Sequence, residues 1–370
     1  MKKLLKKVLS IIFMIFAVFI GVGIGLLILS YVSKGTEGIA ILLESLLGLF
    51  LAYNVGIIVH ESGHLVFGLL TGYKFSSFRI WSLMLVKQNG KMNLRKYKLM
   101  GTGGQCLMIP NDNYTVASVV LYNLGGVIFN FLSAVISFAL YHLIPETYLV
   151  SKLLWYTCAF SVITIITNGI PLNIGGIAND GMNALHLSKN PDAAEAFRKQ
   201  LLINAAQSEG KKTYEIPDEW FRLRDGADMQ NVHCASMAVF EVSRHLDRGD
   251  TVTAEREISG LLASDYNIIG LHRSLLTCDL ISAKLINDPN ADISTYPSPM
   301  LGKVMKSMKN HPPIIRTQYI IALLSERDEK KAAKILSTFD KKTAGYPYRQ
   351  NVEIDRELMM RALEIFKNKV

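Results

Sequence analysis

Residues 46–70 read LLGLFLAYNVGIIVHESGHLVFGLL, an apolar run interrupted by His60, Glu61 and His64. As one helix rising about 1.5 Å per residue, it is long enough to cross the roughly 30 Å hydrocarbon core of a bilayer. On a helix, residues four apart lie one turn above each other. The two imidazoles therefore share a face and can bind one tetrahedral ion, with Glu61 one step round beside it. Each of these polar side chains costs on the order of a few kcal/mol in an apolar membrane helix unless it is paired or coordinated. The plain alternative is a buried polar pair that holds helices together. With a helix starting near Leu46, His60 lies about 21 Å from the outer end and roughly 10 residues remain before Gly72, inside the bilayer and nearer the cytoplasm.

Three more runs can span. Val8 to Ser33 carries no charge and is flanked by Lys6, Lys7 and Lys34. It exceeds the roughly 7 to 15 apolar residues of a signal-peptide core and shows no small-residue cleavage site, so it reads as an uncleaved anchor. The other two are Tyr114 to Ile144 and Tyr148 to Ile170. Lys2, Lys3, Lys6 and Lys7 precede the first span, and Lys74, Arg79, Lys87, Lys91, Arg95, Lys96 and Lys98 lie between the second and third. The positive-inside bias puts both segments in the cytoplasm. An even span count leaves the second half there too. The expectation is a multi-pass integral membrane protein of a bacterial plasma membrane, with cytoplasmic N- and C-termini.

The net charge of +9 over 370 residues follows from this orientation next to an anionic leaflet, so no nucleic-acid partner is implied. Cys106, Cys158, Cys234 and Cys278 lie far apart without a CxxC pair, which argues against a disulfide framework or a thiolate zinc site. Beyond Ser188 the chain turns charge-rich. Residues 1–45 then form an anchor and outer turn, 46–187 a membrane core, and 188–370 a cytoplasmic helical domain.

A hydrolytic zinc site needs three protein ligands and an open fourth position. Glu44, Asp112 and Glu146 sit at the wrong depth, and His142 and His186 read more simply as interfacial or packing residues. Asp180 remains. It follows Asn168-Gly169-Ile170-Pro171, where Pro171 and the glycines after it break the helix and let irregular backbone line a polar cavity.

With these residues the chain resembles the site-2 protease family of intramembrane zinc metalloproteases. The family joins HExxH in one membrane helix to Asn-x-x-Pro and Asp-Gly at a later one, matched here by His60 to His64, Asn168 to Pro171 and Asp180-Gly181. Gly103-Gly104-Gln105 is similar to a glycine pair in a strand near the family's active site. Gly126 to Asn130 is similar to its Gly-Pro-x-x-Asn, with Val127 in place of proline. The interval from Pro171 to Asp180 is longer than in the family pattern. The resemblance runs from about Leu46 to Leu187. It implies zinc held by His60, His64 and Asp180, with Glu61 as the base that moves the proton of an attacking water. Asn130 and Asn168 then bind substrate or orient a ligand, or else only hydrogen-bond between helices.

Phe78 to Val86 and Met92 to Tyr97 flank Gln88-Asn89-Gly90-Lys91, a strong hairpin signal. With Gly103 and Gly104, this hairpin can take up substrate by strand addition, or it can be an amphipathic surface element anchored at the interface by Trp81 and Tyr97. Further on, Val232 to Leu246 pairs with Val252 to Leu262, and Thr317 to Ser325 with Lys330 to Phe339. Such hairpins resemble tetratricopeptide repeats, with Asp288 to Pro299 as a connecting loop. The expected fold is mainly α: about four spans, a small β-hairpin at the cytoplasmic rim and a helical domain that either binds a protein partner or is purely structural. The expected activity is hydrolysis of small membrane-anchored substrates, such as a regulator, a signal-peptide remnant or a peptide precursor, within or beside the lipid bilayer. The alternative is a non-proteolytic metal-binding scaffold acting through its helical repeats, which has no use for Glu61.

Overall fold

The computed structural model describes Ser30 and residues 33–369, apart from 89, 98–101, 113–114, 146–148 and 175–176. The anchor expected from Val8 to Ser33 lies outside the described residues except at Ser30 and Ser33. Helix α1 is Gly35–Leu70, β1 to β4 are Lys74–Ile80, Leu83–Gln88, Lys91–Lys96 and Gly104–Ile109, and α2 is Val116–Leu143. Helix α3, Leu149–Thr164, continues as a π turn, Ile165–Gly169. Among the described residues, these three helices are long and apolar enough to cross a membrane.

The start of α1 corrects one expectation. The helix begins at Gly35, which adopts φ +71°, and not near Leu46. Gly35-Thr36-Glu37-Gly38, within residues 1–45 expected as anchor and outer turn, is its first turn. An isolated helix glycine such as Gly38 costs only about 1 kcal/mol, which the apolar residues around it outweigh.

The chain forms two compact units. The first comprises 1–56 and 132–163. Here Tyr156 and Phe160 of α3 lie over Gly48 and Gly56 of α1, at 2.7 and 2.1 Å from where a Cβ would stand. Lys152 pairs with Glu44 at 2.8 Å. Phe50, Leu47, Ile136, Phe138 and Ile163 are exposed, a surface suited to lipid.

The second unit comprises 57–131 and 164–370. Its antiparallel sheet has the order β3-β2-β1-β4. The run expected as one strand from Phe78 to Val86 is two strands, β1 and β2. They are separated at Trp81, which adopts φ +53°. Its N–H donates to the Gly103 carbonyl at 2.7 Å and its carbonyl accepts from Arg79 at 2.6 Å, so tertiary contacts override the strand pattern. The hairpin itself is present, with Gly90 at φ +75° between β2 and β3. Cross-strand partners share a face. Ser77, Arg79, Met84 and Val86 make one buried face, and Leu83, Leu85 and Leu94 are exposed on the other.

After the short strands β5 (Asn173–Ile174) and β6 (Ile177–Ala178) come α4, Asp180–Lys189, and α5, Pro191–Ser208. Helices α6 (Val232–Asp247), α7 (Thr251–Ala263) and α8 (Gly270–Asn287) follow, then α9 (Pro299–Ser307) and α10 (Pro312–Ile320), α11 (Glu329–Thr343) and α12 (Arg349–Lys369). The two expected helix pairs are present as α6 with α7 and α10 with α11. Asp250 and Asp328 cap the second helix of each pair by accepting from Thr253 and Lys331 N–H. Leu276, Ile314, Tyr319, Phe339 and Met359 form the centre of the core, each burial contributing roughly 1.5–3 kcal/mol.

These helices dock on the buried face of the sheet. Gln88 donates to the carbonyls of Ser208 and Pro347. Tyr97, an interfacial anchor in one of the two readings of the hairpin, packs edge-on against Tyr346 and Tyr348 at 5.6 and 5.7 Å. Contact between residues so distant in sequence has no local signature.

Candidate metal centre

The site begins at a helix crossing. A Cβ on Gly63 of α1 would lie 2.2 Å from the carbonyl oxygen of Gly125 on α2, and one on Gly125 would lie 2.5 Å from that of Gly63. Paired glycines let the two backbones touch. This brings Gly126 beneath the imidazoles, 2.6 Å from His60 Cε1 and 2.7 Å from His64 Nε2 by the same construction. His60 and His64 are both buried.

Asp180 opens α4 and arrives by a different route. The π turn and Pro171 leave carbonyls without helical partners, and Asn179 collects them. Its Nδ2 donates to Thr167 and Ile170 at 2.7 and 2.6 Å, while its Oδ1 accepts from Leu172 and Met182 N–H at 3.1 and 2.9 Å. Gly181 lets the backbones close up, since a Cβ there would fall 2.2 Å from the Gly169 carbonyl oxygen.

Three ligating atoms converge as a result. Asp180 Oδ2 lies 3.0 Å from His60 Nε2 and 3.5 Å from His64 Nε2, and the two Nε2 atoms are 3.3 Å apart. His64 Nδ1 is 2.7 Å from the Tyr122 carbonyl oxygen. With the proton on Nδ1 for that bond, the Nε2 lone pair faces the centre.

Ligands about 2.0–2.1 Å from a tetrahedral zinc stand roughly 3.3–3.4 Å from one another. The separations of 3.0, 3.3 and 3.5 Å fit that ion, and two imidazoles with one carboxylate are a donor set zinc accepts. Glu61 is buried beside them. Its Cγ and Oε1 lie 2.5 Å from the place a Cβ on Gly104 would take.

Of the other candidates, Gly103 supplies the carbonyl that holds Trp81, and the Asn168 carbonyl oxygen backs Gly181. Asn130, one turn beyond Gly126, is fully buried with neither amide atom hydrogen-bonded. His142 packs against Phe138 and Tyr141, and His186 stands on α4. The sequence reading missed Asn179 and the Gly63–Gly125 contact. A pair of glycines within one apolar helix was the available signal for the second of these.

A family model described as peptidase family M50 matches residues 48–344. The chain belongs to this family. The match covers most of the chain and runs far past Leu187, where the sequence resemblance ends, so the helical half of this M50 peptidase lies largely within it. Membership makes the chain a membrane metallopeptidase of the site-2 protease family. Comparison with curated proteins and with solved structures returns no match.

Proposed function

We propose that this M50 peptidase is an intramembrane zinc metalloendopeptidase, and that it hydrolyses peptide bonds of small membrane-anchored proteins or peptides. The observation that carries this reading is the convergence of His60 Nε2, His64 Nε2 and Asp180 Oδ2 within 3.5 Å, with Glu61 as their neighbour in sequence and space. Zinc held by those three atoms supplies a Lewis acid for the scissile carbonyl and for water. Glu61 takes the proton of the attacking water and passes it to the leaving amine. The unpaired amide of Asn130 suits a substrate hydrogen bond, because a buried amide left without a partner costs about 1–3 kcal/mol.

A substrate helix hides its carbonyls in its own hydrogen bonds and must be extended before it is cut. Strand β4 lies at an edge of the sheet and begins at Gly104 beside Glu61, which suits strand addition there. The helical hairpins of the second half, which we read as tetratricopeptide-like, would meet the part of the substrate outside the bilayer.

The test is Glu61→Gln in the full-length chain with a co-expressed single-span substrate. Zinc should remain bound and cleavage should cease. Continued cleavage would remove Glu61 from the mechanism, and an intact chain that cuts no membrane substrate would favour the scaffold. Membrane peptides that accumulate with the inactive enzyme and vanish with the intact one identify the substrate.

A further inference from the structure

Behind β4, on the face of the sheet away from Glu61, lies a cavity of about 240 Å³ whose walls include Tyr97, Gln105, Asn204, Gln207, His311 and Asp355. Sites for whole small molecules usually enclose about 300–1,000 Å³, so this one has room for a single side chain. Among the described residues, no lysine or arginine lines it, which disfavours an anion. Its carboxylate among the described residues, Asp355, has a side chain only 4 % exposed, and its aromatic wall is Tyr97, Tyr346 and Tyr348, whose rings meet edge to face.

The charge behind this wall is unbalanced. Arg316 binds Asp355 at 2.7 Å and also reaches Asp279, and the buried Asp247 adds its charge to the same field. Three carboxylates thus share one buried guanidinium, while Lys212, near Asp247, is tied to Glu357 at 3.3 Å. Burial and the neighbouring carboxylates push Asp355 up to about 7. A second cation in the cavity would relieve the repulsion, and tyrosine faces add cation–π attraction.

We propose that this cavity receives a lysine or arginine side chain from a peptide segment, namely the basic flank of the membrane-anchored substrate. Membrane segments carry lysine and arginine on their cytoplasmic flank, the side expected for the helical half. The amides of Gln105, Asn204 and Gln207 face the same space and suit the polar backbone around such a side chain. Gln105 follows Gly104 in β4, so a flank seated here continues along the strand that borders Glu61. The inference rests on the peptidase reading and names what its substrates share.

Binding is measured on full-length Glu61→Gln protein, which separates this inference from cleavage itself. The probe is a short fluorescent peptide with two adjacent lysines, compared with its glutamine counterpart and with free lysine amide. The lysine peptide should bind at least about tenfold more tightly than either. Asp355→Asn should remove the preference. Because that change also breaks the pair with Arg316, Gln207→Lys is the second variant, placing a cation in the cavity without touching the ion pair. It should weaken the lysine peptide about tenfold and leave zinc content unchanged. Equal binding of the two peptides, equal binding of free lysine amide, or full binding by Gln207→Lys would overturn the assignment.

Discussion

Gly104 stands against Glu61 with no space for a side chain between them, since a Cβ on Gly104 would lie 2.5 Å from both Glu61 Cγ and Oε1. Gly104→Ala must therefore shift either Glu61 or the first residue of β4. Misplacing a reacting group by about 1 Å can cost 10²-fold in rate. The expected result is a loss of about 100-fold in cleavage with zinc still stoichiometric. Cleavage of a single-span substrate and metal analysis on the same preparation check it, and a wild-type rate would mean that this contact does not set Glu61.

Gly126 makes the corresponding contact with the imidazoles. Here the added methyl group meets His60 and His64 themselves, and α2 cannot back away because Gly125 already touches Gly63. Gly126→Ala should lower the zinc content of purified protein well below one ion per chain, with cleavage falling in step. Gly104→Ala and Gly126→Ala thus separate two failures: one loses turnover with its metal in place, the other loses the metal. Full metal occupancy in Gly126→Ala would show that the rings are not held as described.

What could be read from the sequence follows from the distance over which each signal acts. His60, Glu61 and His64 are legible because four residues make a helical turn, and Asp180 because other carboxylates in the membrane half lie at the wrong depth. The β2–β3 hairpin announces itself through Asn89-Gly90. Trp81 does not, because its φ of +53° depends on Gly103 and Arg79 from other segments. For Tyr97 an interfacial role was one of two open readings, and Tyr346 and Tyr348 make it part of a buried face. Asn179 is an ordinary helix cap in sequence, and its bonds to Thr167 and Ile170 follow from the way the third apolar helix ends.

That role of Asn179 leads to a third prediction. Asn179→Ala removes a helix cap, worth about 0.5–2 kcal/mol, and frees the carbonyls of Thr167 and Ile170 that brace the start of α4. Loss of a residue that orients a metal ligand typically costs 10- to 100-fold in affinity. Competition with a zinc chelator should show a weakening of about that size in Asn179→Ala, and Asn179→Asp should recover part of it because its carboxylate can still accept from Met182 N–H. Unaltered affinity in the alanine variant would mean that Asp180 is fixed by the Gly181–Gly169 approach alone.

The ion cluster of the helical half gives a pH-dependent outcome. Asp355 is buried and paired with Arg316, and burial raises its carboxyl, helped by Asp279 and Asp247 and opposed by Arg316, up to about 7. The unfolded chain holds this proton only below about 3.9, so folding takes up a proton between those values. The contribution of Asp355 to stability is then complete below about 4 and is lost as pH rises to about 7. His233 and His311, both depressed to about 4 by burial, act in the opposite sense over part of this window, so the wild-type curve alone does not isolate Asp355. Subtracting the curve of Asp355→Asn does. The stability of the wild type relative to the variant, followed by thermal unfolding of the full chain in detergent, should fall by on the order of a few kcal/mol between pH 4 and 7 and stay level above. A difference that does not change with pH would mean that Asp355 is ionised throughout, with Arg316 fully compensating its burial.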